Sequence, residues 1–336
     1  MIILGIETSC DETSASVLEV DGQNSKPILK SNIISSSLKL HQKTGGIVPE
    51  IAAREQVKYI IPVIKEAISK ADIKNSQIDT IAVTYGPGLL GSLLVGVETA
   101  KTLSFIWKKP LVPVNHLTGH VYANFIEGIP DFPAVGLIVS GGHTDLILIN
   151  GHGAIKWLGG TRDDAAGECL DKIGRLLDLP YPAGPQIEEL AKKGNINRFH
   201  FPSPLIDSSD FDFSFSGLKT AVLREVEKIE HLNNQTIADI SVSVQKAIID
   251  VLIKKTLMVA KKHDARSILL GGGVAANQKL RDEFEFEIKN LKLRIPLFVP
   301  EKWLCTDNAT MIASAAFFNY KPKSLLKIDA DPSLHF

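Results

Sequence analysis

Apolar and polar positions alternate along this chain in two patterns, and each pattern occurs twice. Residues 2–20 read as an apolar strand, a polar turn and a second apolar strand: IILGIE, TSCDETS, ASVLEV. Residues 134–150 repeat that outline with AVGLIV, SGGHT and DLILIN. Short apolar runs bounded by turn residues predict buried strands. The second pattern is an apolar strand, a glycine turn and an amphipathic helix. It occupies residues 78–101 (IDTIAVTYGPGLLGSLLVGVETAK) and recurs at 265–284 (ARSILLGGGVAANQKLRDEF). Each half therefore holds a hairpin first and a strand–glycine–helix unit later, the mark of an internal duplication. The second half carries an insertion around 185–235, including the loop PSPLIDSSDFDFSFSGLKT at 202–220. Insertions of this kind in an α/β protein often carry function.

Helical spacing is plain elsewhere. Ile51, Val57, Ile60, Ile61, Val63, Ile64 and Ile68 predict a helix over 49–70, with Pro62 an irregularity inside it. Residues 237–262 predict a long amphipathic helix, and 310–318 a shorter one with Asp307 and Asn308 as cap candidates. Strands alternating with helices predict an α/β fold of two duplicated lobes, 1–130 and 131–336, with a ligand cleft between them. The last helix is free to pack back on the first lobe.

Composition narrows the function classes only modestly. The 336 residues are 44% hydrophobic and 22% charged, with a formal net charge of −1. That length supports two domains and a large core. The charge supplies no bulk cationic field for nucleic acid, although a local patch or a partner can still bind RNA. Cys10, Cys169 and Cys305 are odd in number and widely spaced, which suits a reducing compartment better than a disulfide framework. The opening MIILGIETSCDETS lacks a basic segment and turns acidic early, unlike a signal peptide. No apolar run approaches the ~20 residues of a membrane span. The expectation is a soluble cytoplasmic protein.

Candidate chemistry sits at the bends. In LIVSGGHTDLI (137–147), Gly141 and Gly142 suit positive φ and close approach to a ligand, and successive amides there can cradle an oxyanion. His116 and His120 of NHLTGH are four residues apart, so one helical face presents both imidazoles to a single cation. Such a pair alone is more often two ordinary hydrogen-bonding histidines, and Gly119 between them weakens the helix. Leu117 stands where an HExxH peptidase needs its general base. Asp307 is the candidate third ligand, and helix capping is its commoner use. Two histidines and a carboxylate suit Fe(II) or Zn(II), and spacing does not choose between them. Residues 271–273 with Asn277 suit either a nucleotide anion or close strand–helix packing, and GPGLLG (86–91) is equally two-sided. Asp11 and Glu12 can position a metal, a hydroxyl or a proton, or simply face solvent. In DDAAGECLDKIGRLL (163–177) Asp164, Gly167, Glu168 and Asp171 fall on a predicted helix, where Asp171 can bind a sugar hydroxyl. YPAGP (181–185) reads as a rigid turn bringing Gly184 near a ligand.

Taken together, these stretches resemble the bacterial TsaD family, formerly called Gcp, which is related to the catalytic subunit of the KEOPS complex. The matching blocks are GIETSCDET, GGIVPEIAAREQ, GPGLLGSLLVG, NHLTGH, LIVSGGHT, DDAAGE, YPAGP, DFSFSGLKT, GGGVAAN and CTDNATMIA, running nearly end to end in order. Departures are small: Ala183 and Ala276 stand beside Gly184 and Asn277, which are kept.

The resemblance implies an ASKHA fold like that of actin, Hsp70 and hexokinase. It also implies tRNA N6-adenosine threonylcarbamoyltransferase activity, with threonylcarbamoyl-adenylate as donor. The acceptor is N6 of the adenosine 3′ of the anticodon, position 37, in tRNAs reading A-starting codons. His116, His120 and Asp307 then look like ligands of one divalent cation, Fe(II) ahead of Zn(II). Val139, Ser140, Gly141, Gly142, His143, Asp171, Gly184 and Asn277 look like the adenylate-binding positions. Asp11 and His143 are the candidates for proton handling. The implied partners are tRNA, TsaB and TsaE, with helices around 49–70 and 91–108 as docking places for TsaB and no membrane. The tail 319–336, with Lys321, Lys323 and Lys327, folds back or touches RNA. Rival readings are an ASKHA small-molecule kinase, a metallopeptidase and a non-catalytic scaffold of the same fold.

Overall fold

The computed structural model describes residues 1–22 and 26–336. The chain divides into two units, one of residues 1–130 with 300–336, the other of residues 131–299.

In the first unit Ile2–Glu7 (β1) and Glu12–Glu19 (β2) form an antiparallel hairpin, and Ile28–Ser36 (β3) pairs with the far edge of β2. Leu38–Thr44 (α1) and Pro49–Lys70 (α2) follow. Thr80–Gly86 (β4) lies parallel to β1, Leu90–Trp107 (α3) crosses back, and Leu111–Asn115 (β5) lies parallel to β4. His116–Tyr122 (α4) starts directly at the end of β5. The sheet order is β3-β2-β1-β4-β5. Leu4, Ile6 and Val17 on one face of this sheet pack under Ile60, Val63 and Ile64 of α2 and Val97 of α3. The helix over 49–70 runs unbroken through Pro62, which lies on its exposed face.

The second unit repeats the design. Ala134–Val139 (β6), Thr144–Ile149 (β7) and Ile155–Gly160 (β8) form an antiparallel meander. Then come Ala166–Leu176 (α5), Ala183–Ala191 (α6), Ser216–Val226 (α7) and Asn234–Lys262 (α8). Ser267–Gly271 (β9) lies parallel to β6, Gln278–Asn290 (α9) follows, and Leu297–Phe298 (β10) lies parallel to β9. The order β10-β9-β6-β7-β8 is that of the first sheet read from the other edge. In both, the opening hairpin takes its third strand on one side and two parallel strands on the other. The insertion is tied down by two devices. Buried Lys255 of α8 donates to Ser208 Oγ at 2.8 Å and to the Asp210 carbonyl at 3.1 Å, and Asp163 accepts from the amides of Phe215 and Ser216 at the start of α7.

Lys302–Cys305 (α10) and Ala309–Phe318 (α11) pack within the first unit, so the second lobe expected over 131–336 ends at residue 299. Every residue from Ala309 to Ala316 is buried, as expected of a helix apolar all round. Two glycines make room for it. A Cβ on Gly5 of β1 would lie 2.3 Å from the Ala309 carbonyl oxygen, and one on Gly119 of α4 would lie 2.8 Å from Ile312 Cδ1. The glycine between the two histidines therefore serves helix packing. Full burial of a side chain such as Ile312 contributes about 1.5–3 kcal/mol. The tail continues over the same unit: the Asp331 amide donates to the Tyr85 carbonyl at 2.7 Å, and Asn115 Nδ2 donates to the His335 carbonyl at 3.2 Å.

Candidate active site

In the first unit, α4 begins where β5 ends because Asn115 caps it, its side-chain oxygen accepting from the Thr118 amide at 3.1 Å. His116 and His120 then share one face, their rings edge to face with centroids 4.7 Å apart. Asp307 arrives on the turn before α11. The capping duty there falls to Asn308, whose side chain accepts from the Met311 amide at 3.0 Å. Asp307 Oδ1 stands 3.6 Å from His116 Nε2 and 3.5 Å from His120 Nε2. One donor atom from each of the three lies within 4.8 Å of the others, and these residues form the single such cluster among the described residues.

Donors held about 2.1 Å from one cation stand roughly 3.0–3.4 Å apart, so the two short separations suit a shared ion. Among the described residues Nδ1 of fully buried His120 has no hydrogen-bond partner, and Nε2 has only the long contact with Asp307 Oδ1. Such a buried polar group is costly unless something binds it. Burial pushes the His120 pKa down. Burial also opposes protonation of His116, yet the Asp307 and Glu7 carboxylates outweigh it and raise its pKa to about 9. Two imidazoles and a carboxylate thus fit a divalent cation of the Fe(II) or Zn(II) type.

Beside this cluster lies the acidic turn between β1 and β2. Gln56 of α2 holds it from below, donating to the carbonyls of Thr8, Cys10 and Glu12 at 3.3, 2.9 and 3.1 Å. The GPGLLG segment packs on it too: a Cβ on Gly88 would lie 2.5 Å from the Ser9 carbonyl oxygen. Here that glycine serves close packing rather than a ligand. Asp11 is nearly buried and hydrogen-bonded to Glu12. Burial first, then the Asp11 charge, push Glu12 well above the usual carboxylate range.

In the second unit, β6 and β7 meet in the SGGH turn, closed by the Ser140 amide donating to the His143 carbonyl at 2.8 Å. The His143 amide donates in turn to Ser140 Oγ at 3.1 Å. Neither Gly141 nor Gly142 has positive φ, and a Cβ on either would meet open space, so the expected tight approach is not imposed by the chain itself. Gly167 is the glycine that approaches closely, its amide donating to the Ser140 carbonyl at 3.1 Å from the first turn of α5. Val139 meets Gly272, whose φ is +91° and whose Cβ would lie 2.4 Å from the Val139 carbonyl oxygen.

Asp171 of α5 accepts from the Ala183 amide at 2.7 Å. Burial raises its pKa, and the hydrogen bonds from Ala183 and Gly184 only partly offset that. Gly184 belongs to the first turn of α6 rather than to a free turn, because α6 starts at Ala183 under the Asp171 carboxylate. Asn277 caps α9 through the Leu280 amide at 3.0 Å and donates to Gln245 Oε1 at 2.9 Å. Gly184 and Asn277 line one narrow apolar pocket with Leu170, Ile187, Gln245 and Val274. Asp164 precedes α5 and pairs with Lys172 at 2.6 Å.

Sequence reasoning passed over Glu7, Ser9 and Thr84. Glu7 Oε2 lies 3.3 Å from His116 Nδ1 and accepts from Thr84 Oγ1, while Ser9 Oγ lies 3.1 Å from the same ring nitrogen. An acid closing an otherwise apolar buried strand was the available signal.

A family model described as TsaD, tRNA N6-adenosine threonylcarbamoyltransferase, matches residues 28–314. Relatives named tRNA N6-adenosine threonylcarbamoyltransferase occur in Thermosipho africanus (50% identity, 96% of this chain and 95% of that protein) and Syntrophomonas wolfei (46%, 99% and 97%). One in Bacillus subtilis is 49% identical over 94% of this chain and 89% of that protein. Among solved structures, HypF of T. kodakarensis is similar over 95% of this chain and 47% of its own, with TM-score 0.61 and 14% identity. The (R)-2-hydroxyglutaryl-CoA dehydratase component A of Acidaminococcus fermentans gives TM-score 0.55 at 15% identity, over 94% and 98%. At that identity the likeness concerns the fold, which is of the ASKHA type.

Proposed function

We propose, for a chain that belongs to the TsaD family of tRNA N6-adenosine threonylcarbamoyltransferases, a transfer from threonylcarbamoyl-adenylate to N6 of adenosine 37 in tRNAs reading A-starting codons. The observation that carries this reading is the meeting of His116, His120 and Asp307 beside an acidic turn. An exocyclic adenine amine is a poor nucleophile, so its acyl donor must be activated, and a mixed carbamoyl–phosphate anhydride is. The new bond joins N6 to the carbamoyl carbon, the carbon–oxygen bond to phosphate breaks, and AMP leaves.

His116, His120 and Asp307 would hold one divalent cation, Fe(II) ahead of Zn(II). When bound, such an ion stabilises negative charge developing on phosphate and carbonyl oxygens. Among the described residues, the amides of exposed Gly141 and Gly142 make no hydrogen bond, and they can donate to the donor's phosphate. Val139 and Ser140 form the base of that turn. Asp171 keeps acceptor capacity beside its two main-chain donors for a ribose hydroxyl, and Gly184 and Asn277 line the pocket for the adenylate. Asp11 is the acceptor for the N6 proton, and His143 is the second candidate for moving it. An Asp11→Asn protein is expected to lose about 100-fold or more in single-turnover rate, the usual range for acid–base catalysis. An unchanged rate would remove that role.

TsaB docks on the first unit, where Val57, Ile61, Leu94, Phe105 and Ile106 of α2 and α3 leave apolar side chains exposed, and TsaE completes the assembly. No helix among the described residues is long and apolar enough to cross a membrane, and none of the three cysteines forms a disulfide among the described residues. Cysteines outside disulfides support a cytoplasmic setting.

The deciding experiment incubates the protein with unmodified tRNA and threonylcarbamoyl-adenylate, with and without TsaB and TsaE, and assays the digested RNA by mass spectrometry. Threonylcarbamoyladenosine at position 37 supports the reading. Its absence under all conditions, or ATP turnover that ignores tRNA, overturns it in favour of a small-molecule kinase.

A further inference from the structure

We infer that Glu7 is a positioning residue for the cation centre, holding His116, when it binds the ion, in the tautomer that leaves the Nε2 lone pair for the cation shared with Asp307. The Glu7 side chain is fully buried at the end of β1. One oxygen accepts from the Ser9 amide at 2.6 Å, and the other accepts from Thr84 Oγ1 on β4 and faces His116 Nδ1 at 3.3 Å. Among the described residues, His116 is the one basic side chain within ion-pair distance of this carboxylate. A buried carboxylate in such a place is costly unless hydrogen-bonded or paired. One oxygen is anchored by the turn that follows β1 and the other by the neighbouring strand β4, so its position does not depend on the imidazole.

The tautomer follows from donor chemistry. A carboxylate only accepts, so the shared contact requires His116 Nδ1 to carry the proton. In the neutral imidazole that a cation would bind, Nε2 is then the atom left with a lone pair, and it is the ring nitrogen 3.6 Å from Asp307 Oδ1. Ser9 Oγ, 3.1 Å from Nδ1, accepts in this arrangement, but as a hydroxyl it is equally able to donate and favour the opposite tautomer. Glu7 decides between the two. His120 has no such partner on its Nδ1. The centre is therefore asymmetric, with His116 anchored from behind at Nδ1 and His120 without such an anchor among the described residues. Outer carboxylates of this kind typically change metal affinity ~10–100-fold.

This inference rests on the proposed cation centre, and its test separates the two. Zn²⁺ affinity is measured by chelator competition on the full chain for the native protein, His116→Ala and Glu7→Gln, with thermal unfolding of each metal-free form. If the native protein binds no Zn²⁺ at the centre, the cation reading itself falls. If it binds and His116→Ala does not, Glu7→Gln is expected to bind ~10–100-fold more weakly, because the amide nitrogen can donate to Nδ1 and turn Nε2–H toward the ion. In the Zn²⁺-loaded native protein the His116 Nδ1 proton gives a slowly exchanging downfield resonance, which Glu7→Gln shifts or loses. Should Glu7→Gln fail to fold, Thr84→Val removes one anchor of the carboxylate and is expected to weaken Zn²⁺ in the same direction by a smaller factor. Unchanged affinity and an unchanged resonance in the folded variant overturn the inference.

Discussion

The histidines at positions 116 and 120 show how little one residue's chemistry decides by itself. Four-residue spacing puts two imidazoles on one face in any helix, and most such faces bind nothing. What distinguishes this pair is a carboxylate from nearly two hundred residues away, at 3.5–3.6 Å from both Nε2 atoms. Capping of α11 falls to its neighbour Asn308, and Asp307 faces the two rings. His116→Ala is expected to abolish transfer and bound metal while leaving thermal stability largely intact. Normal turnover with normal metal content in that variant would contradict the role assigned to His116.

Two elements illustrate how turns are held for use. The SGGH turn rests on the first turn of α5, where a Cβ on Gly167 would lie 2.6 Å from the Ser140 carbonyl oxygen. Gly167→Ala is therefore expected to cost about 1–3 kcal/mol in denaturant unfolding through forced overpacking, and to raise KM for the adenylate more than it lowers kcat. A KM effect without a stability effect would place the strain elsewhere. The insertion depends on Asp163 in another way. Burial opposes its ionisation, but hydrogen bonds from Ser214, Phe215 and Ser216 prevail and hold its pKa below 3.8. A depressed folded pKa stabilises the fold above the unfolded value and loses that contribution as pH falls through the folded one. Hydrogen exchange at the start of α7 is thus expected to accelerate below about pH 4. Asp163→Asn is expected to show the faster exchange already at neutral pH, and equal protection in both proteins would remove Asp163 as the cause.

For the molecule as a whole, one pattern of five strands is used twice, and each copy spends its loops differently. The first unit brings buried histidines and acids together at the ends of β1 and β5. The second offers an open glycine turn and a narrow apolar pocket. The first unit also leaves Phe105 and Ile106 of α3 largely exposed, at 76% and 64%. Contiguous apolar surface of this kind marks association sites. Phe105→Glu is expected to weaken co-elution with TsaB and to lower transfer only in assays that need TsaB. Unaltered co-elution would move the docking surface off α3.

Periodicity alone determined the hairpins, the strand–glycine–helix units, the helix over 49–70 and the duplication, because burial on a sheet or helix imposes periods that short-range sequence records. The resemblance of ten short blocks pointed to the family and to His116, His120 and Asp307 by position. Other features were decided by the tertiary structure. Asp307 or Asn308 could each have capped α11, and only coordinates separate them. The tail's place in the first unit follows from glycines 5 and 119, whose missing side chains admit a helix from the far end of the chain. Glu7 reads locally as the last residue of a strand, and its bond toward His116 spans 109 positions. Contacts over such separations leave no periodic trace, since they depend on which surfaces the folded chain brings together.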